Sequence, residues 1–395
     1  MIGIVFWVAV ALVAYTYAGY PLLLALVSRL RRPPARPDFT PSLTVIIAAY
    51  DEEAVLEGKL RDTLALDYPA GLLQVIVAAD GSTDGTADIA RSFAPRVELV
   101  HRPERAGKMA AINRAMEHAR GDVVVFSDAN NRYLPDALRE MARPFADPAV
   151  GAVTGRKTVA AEDGLGYSEG LYWRYESKIR SWETRLGCCV GVNGEIFAIR
   201  RSLFRPAPLS VVNDDSWMAY QLIRGGGNVV YNEKAVSVER VSPTAADEAK
   251  RRARIVAGQY QMLGRPAEWP WRRPVVLWEM VSHKVLRPLV PFGMIATAAA
   301  TIAALFRPGA GSGAAGLLHL ARPWNWVAAG GQAAFYALAA VGHRLGGPLG
   351  KVAYVPRFLV DSNLAALRGL ARHLKGGQSA NWERVGRREA AGADG

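Results

Sequence analysis

Hydrophobic residues in the middle of the chain occur in short unbroken runs, and each run is followed by polar residues. These runs have the length and composition of strands buried on both faces of a parallel sheet: 43–49 (LTVIIAA), 74–79 (QVIVAA), 97–100 and 123–126 (VVVF). Amphipathic stretches separate them, the first with Leu56, Leu60 and Leu64 on one face. Alternating strands and helices at this spacing predict an α/β fold with right-handed crossovers and a doubly wound, mostly parallel sheet. Residues 150–155 predict a further short strand.

The two ends of the chain show a different pattern, in which long stretches carry no charged side chain. Residues 1–28, 288–306 and 323–342 are such stretches, and about 20 apolar residues suffice to cross a bilayer. They predict three transmembrane helices. Basic residues follow the first stretch rather than precede it, which argues against a cleaved signal peptide and places the following domain in the cytoplasm (Arg29, Arg31, Arg32 and Arg36).

This pattern predicts a division of the chain into five parts. They are a transmembrane helix (1–28), a proline-rich linker (29–42), a cytoplasmic α/β domain (43–265), an interfacial segment with two spans (266–346) and a basic amphipathic cytoplasmic tail (347–395). Residues 352–370 are interrupted by charges, so an interfacial helix is favoured there over a fourth span.

Composition narrows the choice of function. The formal charge of +12 is compatible with nucleic acid, acidic lipid or an anionic substrate, but its distribution around the apolar ends points to a membrane and not to nucleic acid. The two cysteines, Cys188 and Cys189, are adjacent, which excludes a disulfide framework and the usual zinc spacings. They are expected to be small buried residues.

Polar residues that follow the predicted strands supply the candidate chemistry. Asp128 and Asn130 end the run at 123–126, and their oxygens suit a divalent cation, Mg²⁺ or Mn²⁺, that holds a phosphate. The segment DGSTDG from Asp80 to Gly85 fits either a binding loop or only a turn and helix cap. It is not an EF-hand loop, because Arg91 stands where a glutamate is needed. Neither a Walker A sequence nor a dinucleotide-binding glycine motif follows a strand.

Three later motifs complete the set of candidates. The glycines of GCCVGVNGEIF, including Gly194 beside Asn193, permit close approach of the backbone to a ligand. Asp214 and Asp215 open a predicted helix, where acids are either favoured by the helix dipole or serve catalysis. Arg254 belongs to a basic run that is either a solvated helix face or a contact for pyrophosphate or anionic lipid.

In order and spacing, these motifs resemble the inverting family 2 glycosyltransferases with the GT-A fold, the group of the cellulose, chitin and poly-N-acetylglucosamine synthases. The matching segments are AAYDEE (48–53), AADGSTDGT (78–86), RAGK with Asn113, SDAN (127–130), GVNGEIFAIRR (191–201) and NDD (213–215). The resemblance implies that the nucleotide-sugar donor is bound by Tyr50, Glu52, Asp80, Lys108, Asn113 and Asp128. It further implies that Asp128 and Asn130 hold the metal, that Asp215 with Asp214 is catalytic, and that Asn193, Gly194 and Arg254 contact the acceptor or diphosphate. Which of the two aspartates is the base is left open by the sequence.

Two positions depart from the family pattern. Asn130 replaces the second acid of the D-x-D motif, and only Arg254 remains of the Q-x-x-R-W motif of processive synthases. The expected function is therefore transfer from a nucleotide sugar, most simply a UDP-sugar, to a polysaccharide or lipid-linked acceptor at a bacterial inner membrane. Alternatives are transfer of a single sugar to a polyprenyl-linked lipid, or a non-catalytic nucleotide-binding subunit of an export complex. Membrane lipid, and an oligomer or accessory export subunits, are the further expected partners.

Overall fold

The computed structural model describes residues 1–32, 37–160, 164–240, 245–345 and 347–375. In chain order its helices and strands are α1 (Ile2–Ala14), α2 (Tyr20–Ser28), β1 (Leu43–Ala49), α3 (Glu53–Leu64), β2 (Leu73–Asp80), α4 (Thr86–Ser92), β3 (Val97–Arg102), α5 (Lys108–His118), β4 (Val123–Asp128), β5 (Asn131–Tyr133), α6 (Ala137–Ala142), β6 (Val150–Ala160), α7 (Gly164–Leu186), β7 (Phe197–Arg200), α8 (Asp214–Arg224), β8 (Asn228–Arg240), α9 (Ala245–Leu263), α10 (Pro274–Met280), α11 (Leu286–Phe306), α12 (Gly313–His319), α13 (Trp324–Val341) and α14 (Gly347–Leu374). Arg36 and the basic residues after 375 lie outside the described residues.

The chain divides into two compact units. The sheet unit comprises Leu24–Glu248 and Gly264–Glu279 of the described chain, and the helical unit comprises Met1–Leu23, Ala249–Leu263 and Met280–Gly377. The greater part of α9, including Arg254, therefore belongs to the helical unit. The five-part division predicted from the sequence stays a prediction.

The sheet unit contains one mixed sheet with the strand order β3-β2-β1-β4-β7-β6-β8-β5. β3, β2, β1 and β4 run parallel, whereas β7 pairs antiparallel with both β4 and β6. The chain moves outward from β1 to β3 and then returns to the other side of β1 for β4. This reversal creates a switch point between β1 and β4, where open α/β sheets bind ligands. The predicted parallel, doubly wound half is thus confirmed.

Burial explains why the four predicted strands form as expected. Every residue of β1 is buried, and Leu56 and Leu60 of α3 are fully buried against the core that includes Val45 and Ile47. Because helices cover both faces, these strands need no alternation of polar and apolar residues. Polar residues then begin where each strand reaches the sheet edge.

The predicted short strand at 150–155 was wrong in its length. β6 continues to Ala160 because it pairs in parallel with β8 beyond a register shift between Gly155 and Arg156. Beyond Gly155 the strand carries the polar residues Arg156, Lys157 and Thr158, so the hydrophobic pattern ends before the strand does. This part of the strand brings Lys157 beside Ser237 of β8.

In the helical unit, α1 packs along α11. Phe6 is buried in a small apolar cluster with Ala300, Ala304 and Leu320, and Gly293 allows close approach, since a Cβ there would lie 3.2 Å from Leu12 Cδ2. Among the described residues two helical stretches, Ile2–Ser28 and Pro274–Phe306, are long and apolar enough to cross a membrane. The third expected span forms α13, which is not one of these two, so its membrane crossing stays a prediction.

Candidate functional site

The loops after β1 and β2 interlock at the carboxyl edge of the sheet. Asp51, whose φ of +50° is unusual for a residue with a side chain, accepts a 2.7 Å hydrogen bond from the Thr83 amide through Oδ1. Glu53 Oε2 accepts from the Gly85 amide at 2.8 Å, and the Glu52 amide donates to Thr86 Oγ1 at 2.8 Å. Two motifs that are about 30 residues apart in the sequence therefore form one surface beside Tyr50.

Asp80 anchors the loop that leads into α5. Its carboxylate is only 5% exposed and accepts hydrogen bonds from the amides of Ala106 (3.1 Å) and Gly107 (2.6 Å) and from Arg114 Nη2 (3.2 Å). Gly81 has a φ of +69°, and a Cβ there would lie 2.7 Å from the Arg105 amide nitrogen. Asp80 thus fixes the chain that carries Lys108 to the sheet edge, while its expected contact with a nucleobase stays a prediction.

One face of the Tyr50 ring is covered by a residue that was not predicted from the sequence. The guanidinium carbon of Arg105 lies 3.9 Å from the centre of the ring, within the range of a cation–π contact. Arg105 lies inside the RAGK motif, but its position gave no sign of this contact. The stacking expected between Tyr50 and a base stays a prediction.

Lys108 connects the end of β4 to the first turn of α8. Its Nζ lies 2.8 Å from Asp128 Oδ1 and 3.9 Å from Asp214 Oδ2. Burial lowers the pKa of Lys108, but the carboxylates of Asp128 and Asp214 outweigh it and raise this pKa above its usual value. The same pairing holds the pKa of Asp128 below its usual value against the opposing effect of burial. A cation and two carboxylates from distant parts of the sequence thus meet at the switch point.

Asp215 lies against the glycine-rich segment before β7. A Cβ on Gly194 would come within 3.1 Å of Asp215 Oδ2, so the absence of a side chain makes room for this carboxylate. Asp215 Oδ1 accepts a 2.7 Å hydrogen bond from the Ser216 amide. Asn193 is turned toward the sheet, where its Nδ2 donates to the Gly155 carbonyl at 2.8 Å. The structure therefore gives Asn193 a role in holding the segment, and its expected acceptor contact stays a prediction.

The side-chain amide oxygens of Asn130 and Asn113 accept no hydrogen bond from the residues that the structure describes. Asn130 Nδ2 donates to Glu239 Oε1 at 3.2 Å, and among the described residues its Oδ1 accepts no hydrogen bond. The buried Oδ1 of Asn113 also has no hydrogen-bond partner in the described part of the chain. An amide oxygen at position 130 and the 26% exposed carboxylate of Asp128 are a donor set that fits a hard divalent cation.

The protein side chains do not make a complete metal site by themselves. No cluster of three or more His, Cys, Asp and Glu side chains suited to a metal occurs among the described residues. Cations such as Mg²⁺ are commonly held by one or two carboxylates together with substrate phosphates. The arrangement therefore fits a cation that binds together with a diphosphate.

A buried polar layer supports the site from below. Lys59 Nζ donates to the Asn131 carbonyl at 2.8 Å and to Asn131 Oδ1 at 2.9 Å, and burial lowers the pKa of Lys59 to about 7. Lys157 Nζ lies 2.7 Å from Glu195 Oε2 and also contacts Glu239. These residues were not predicted, because lysines on a helix and a strand give no sequence sign of burial.

The two cysteines behave as expected. Cys188 and Cys189 are both free and buried, and burial raises the pKa of the Cys188 thiol to about 12. Burial likewise raises the pKa of the Cys189 thiol well above its usual value. Both thiols therefore stay protonated at neutral pH and are poor nucleophiles.

Comparison with known proteins matches residues 44–205 to the family model for glycosyl transferase family 2. The chain is 28% identical over 220 residues to an N-acetylglucosaminyltransferase of Rhizobium sp. (strain N33), which covers 51% of the chain and 49% of that relative. It is 26% identical over 243 residues to the poly-β-1,6-N-acetyl-D-glucosamine synthase of Staphylococcus aureus (strain COL), covering 60% of the chain and 58% of that relative. The chain thus spans about half the length of the curated relatives it matches.

A solved structure matches over nearly the whole chain. It is the mannosyltransferase PcManGT from Pyrobaculum calidifontis in complex with GDP-mannose and Mn²⁺, with a TM-score of 0.72 and 26% identity. The match covers 95% of this chain and 99% of that chain. The resemblance and the fold class predicted from the motifs are confirmed.

Proposed function

Because residues 44–205 are a glycosyl transferase family 2 domain, we propose that the protein transfers a sugar from a nucleotide-sugar donor to an acceptor at a membrane. The observation that carries the proposal is the proximity of Lys108 to both Asp128 and Asp214. It brings the Lys108 ammonium group, proposed to bind phosphate, and the Asp128 carboxylate, proposed to bind the metal, together with the first turn of α8 at one edge of the sheet. The donor diphosphate is therefore expected beside Lys108.

The reaction is a single displacement with inversion at the anomeric carbon. Asp128 and Asn130 would hold a divalent cation, which neutralises charge on the leaving diphosphate when it is bound. Lys108 adds a second positive charge to the same group. Asp215 would take the proton of the acceptor hydroxyl as the general base, a role worth about 10²–10⁴-fold in rate. Asp214, which lies near Lys108, would hold the Lys108 side chain in position for the diphosphate.

The donor class is the first question for experiment. A UDP-sugar is expected from the motifs, whereas a GDP-sugar is favoured by the match of 95% of the chain to a mannosyltransferase solved with GDP-mannose. The purified full chain in detergent would be incubated with UDP- and GDP-sugars, with and without Mg²⁺ or Mn²⁺, and nucleotide release followed. We expect cation-dependent release from one of the two classes. Release from GDP-sugars alone would overturn the uridine assignment, and release from none would favour a non-catalytic subunit.

The acceptor is proposed to be membrane-bound. Two helical stretches long and apolar enough to span a bilayer flank the sheet unit in the sequence. Most of the Q-x-x-R-W motif is absent at Arg251–Ile255, which favours addition of a single sugar to a lipid-linked acceptor over long polymers. Extraction of native membranes with alkaline carbonate should leave the protein in the pellet, and its release would contradict the membrane part of the proposal. Analysis of products on polyprenyl phosphate and on oligosaccharide acceptors would separate the two acceptor classes.

A further inference from the structure

Asn130 and Glu239 form a pair next to the proposed metal site. Asn130 Nδ2 donates to Glu239 Oε1 at 3.2 Å, although 109 residues separate the two in the sequence. We propose that Glu239 is a positioning residue, which turns the Asn130 amide so that its oxygen and not its nitrogen faces the divalent cation. The inference rests on the proposed function, because it needs a cation at Asp128.

An amide at this position needs such a partner, whereas a carboxylate would not. Both side-chain oxygens of an aspartate accept hydrogen bonds. In an asparagine the oxygen accepts and the NH₂ group donates, and a 180° rotation of the amide exchanges their positions. A carboxylate is purely an acceptor, so Glu239 can bind only the nitrogen end of Asn130. The hydrogen bond therefore fixes the sense of the amide. In agreement, Asn130 Oδ1 accepts no hydrogen bond among the residues that the structure describes.

Glu239 is itself held from two sides. Its backbone pairs with Asn131 of β5, the residue directly after Asn130, and with Val159 of β6. Its carboxylate contacts the Nζ of Lys157, which is 4% exposed and also lies 2.7 Å from Glu195 Oε2. A carboxylate with this little freedom can hold a partner in one orientation. Outer partners of this kind orient metal ligands in many sites, and their loss typically costs about 10–100-fold in metal affinity.

The test exchanges the amide and the carboxylate between positions 130 and 239. The full chain in detergent, saturated with UDP or GDP, would be titrated with Mn²⁺, and unbound Mn²⁺ measured by electron paramagnetic resonance. Glu239→Gln alone should weaken Mn²⁺ binding about tenfold, because a glutamine offers both a donor and an acceptor and no longer fixes the sense of the Asn130 amide. The double variant Asn130→Asp/Glu239→Gln should restore binding, because a carboxylate at position 130 presents an oxygen to the cation in either orientation. Glu239→Ala should weaken binding about 10–100-fold.

The inference is overturned if Glu239→Gln or Glu239→Ala binds Mn²⁺ as tightly as the unchanged protein. Glu57→Gln, the same chemical change on an exposed face of α3, is the control and should change nothing. Asp128→Asn separates the two proposals. If it abolishes Mn²⁺ binding while the pair variants do not affect it, the inference alone fails; if it has no effect, the proposed metal site fails as well.

The experiment distinguishes a variant that fails to fold from one that folds and binds Mn²⁺ weakly. Glu239→Gln keeps the shape of the side chain and an oxygen that can face Lys157, and the double variant is read as a recovery from a defect. Binding of the nucleotide without metal and the thermal unfolding midpoint would be measured for every variant. A drop in Mn²⁺ affinity with both of these unchanged is the result that the inference requires.

Discussion

Lys108 is the residue that unites the proposed site. It pairs with Asp128 at the end of β4 and approaches Asp214 in α8, so its charge lies between the carboxylate proposed to bind the metal and the helix that carries the proposed base. Asp214 is engaged by this lysine, while Asp215 lies against the glycine at 194. Two adjacent aspartates are thereby placed in different surroundings. Groups with different surroundings are suited to different catalytic roles.

Replacing the two aspartates one at a time tests this division. Asp215→Asn should lower the rate of sugar transfer by about 10²–10⁴-fold, because it removes the proposed base, with nucleotide affinity nearly unchanged. Asp214→Asn should weaken donor binding as well, since Lys108 would lose a carboxylate that holds its side chain in place for the diphosphate. Transfer rates and nucleotide affinity would be measured for both. An active Asp215→Asn enzyme would move the base to another residue.

Lys59 gives the stability of the protein a predictable dependence on pH. Burial lowers its pKa from 10.5 to about 7 in the folded protein. Between these values the unfolded chain binds the additional proton, so stability should rise with pH by up to about 1.4 kcal/mol per unit. Urea unfolding in detergent would compare the unchanged protein with Lys59→Met at pH 7 and pH 9. The unchanged protein should gain about 2 kcal/mol more over this interval than the variant.

The quantity compared in that experiment is the slope of the free energy of unfolding against pH in the two proteins. Loss of the hydrogen bonds to Asn131 shifts the stability of the variant at every pH and does not alter its slope. Other titrating groups are common to both proteins and cancel in the comparison. Equal slopes in the two proteins would show that the pKa of Lys59 is not lowered in the folded protein and that this side chain is not buried as described.

At the level of elements, the site depends on how closely the segment before β7 approaches α8. Gly194→Ala would place a Cβ 3.1 Å from Asp215 Cβ and Oδ2, so the carboxylate must move by a few tenths of an ångström. We expect transfer to fall about tenfold or more, since small misplacements of a reacting group are costly. Gly58→Ala is the control, because no atom lies within 4 Å of a Cβ at that position in α3. It should raise stability by about 0.5–1 kcal/mol without loss of transfer. Equal activity of both variants would remove Gly194 from the site.

The helices and strands also show which parts of the fold and of the site could be predicted from the sequence. β1 to β4 were predictable because strands buried on both faces are continuous hydrophobic runs bounded by polar residues. The convergence of Asp80, Lys108 and Asp128 followed, since parallel strands end on one edge. The full length of β6 was not predictable, because the polar residues 156–158 end the hydrophobic run while pairing with β8 continues the strand. The partner of Asn130 was equally hidden, since only the pairing of β5 with β8 brings Glu239 beside it.

At the level of the whole molecule, the net positive charge is confined to one unit. The helical unit carries 14 Lys and Arg residues and one Asp, whereas the rest of the chain carries 34 basic and 35 acidic residues. A strong excess of basic residues next to apolar helices is typical of proteins that contact anionic lipid, at about 1 kcal/mol for each Lys or Arg near the surface. We therefore expect the helical unit to prefer an anionic bilayer.

The thermal unfolding midpoint in mixed micelles tests this preference. Phosphatidylglycerol should raise the midpoint above that in phosphatidylcholine, by about 1 °C for each kcal/mol of binding in a chain of this length, because a ligand of the folded state stabilises it. High salt should reduce the rise, since it screens exposed charges. The triple variant Arg368→Gln/Arg372→Gln/Lys375→Gln in and after α14 should lose much of it. The matched triple variant Arg61→Gln/Arg91→Gln/Arg96→Gln in the sheet unit should retain it. An equal rise in both variants, or one insensitive to salt, would mean that the excess charge of the helical unit does not bind lipid.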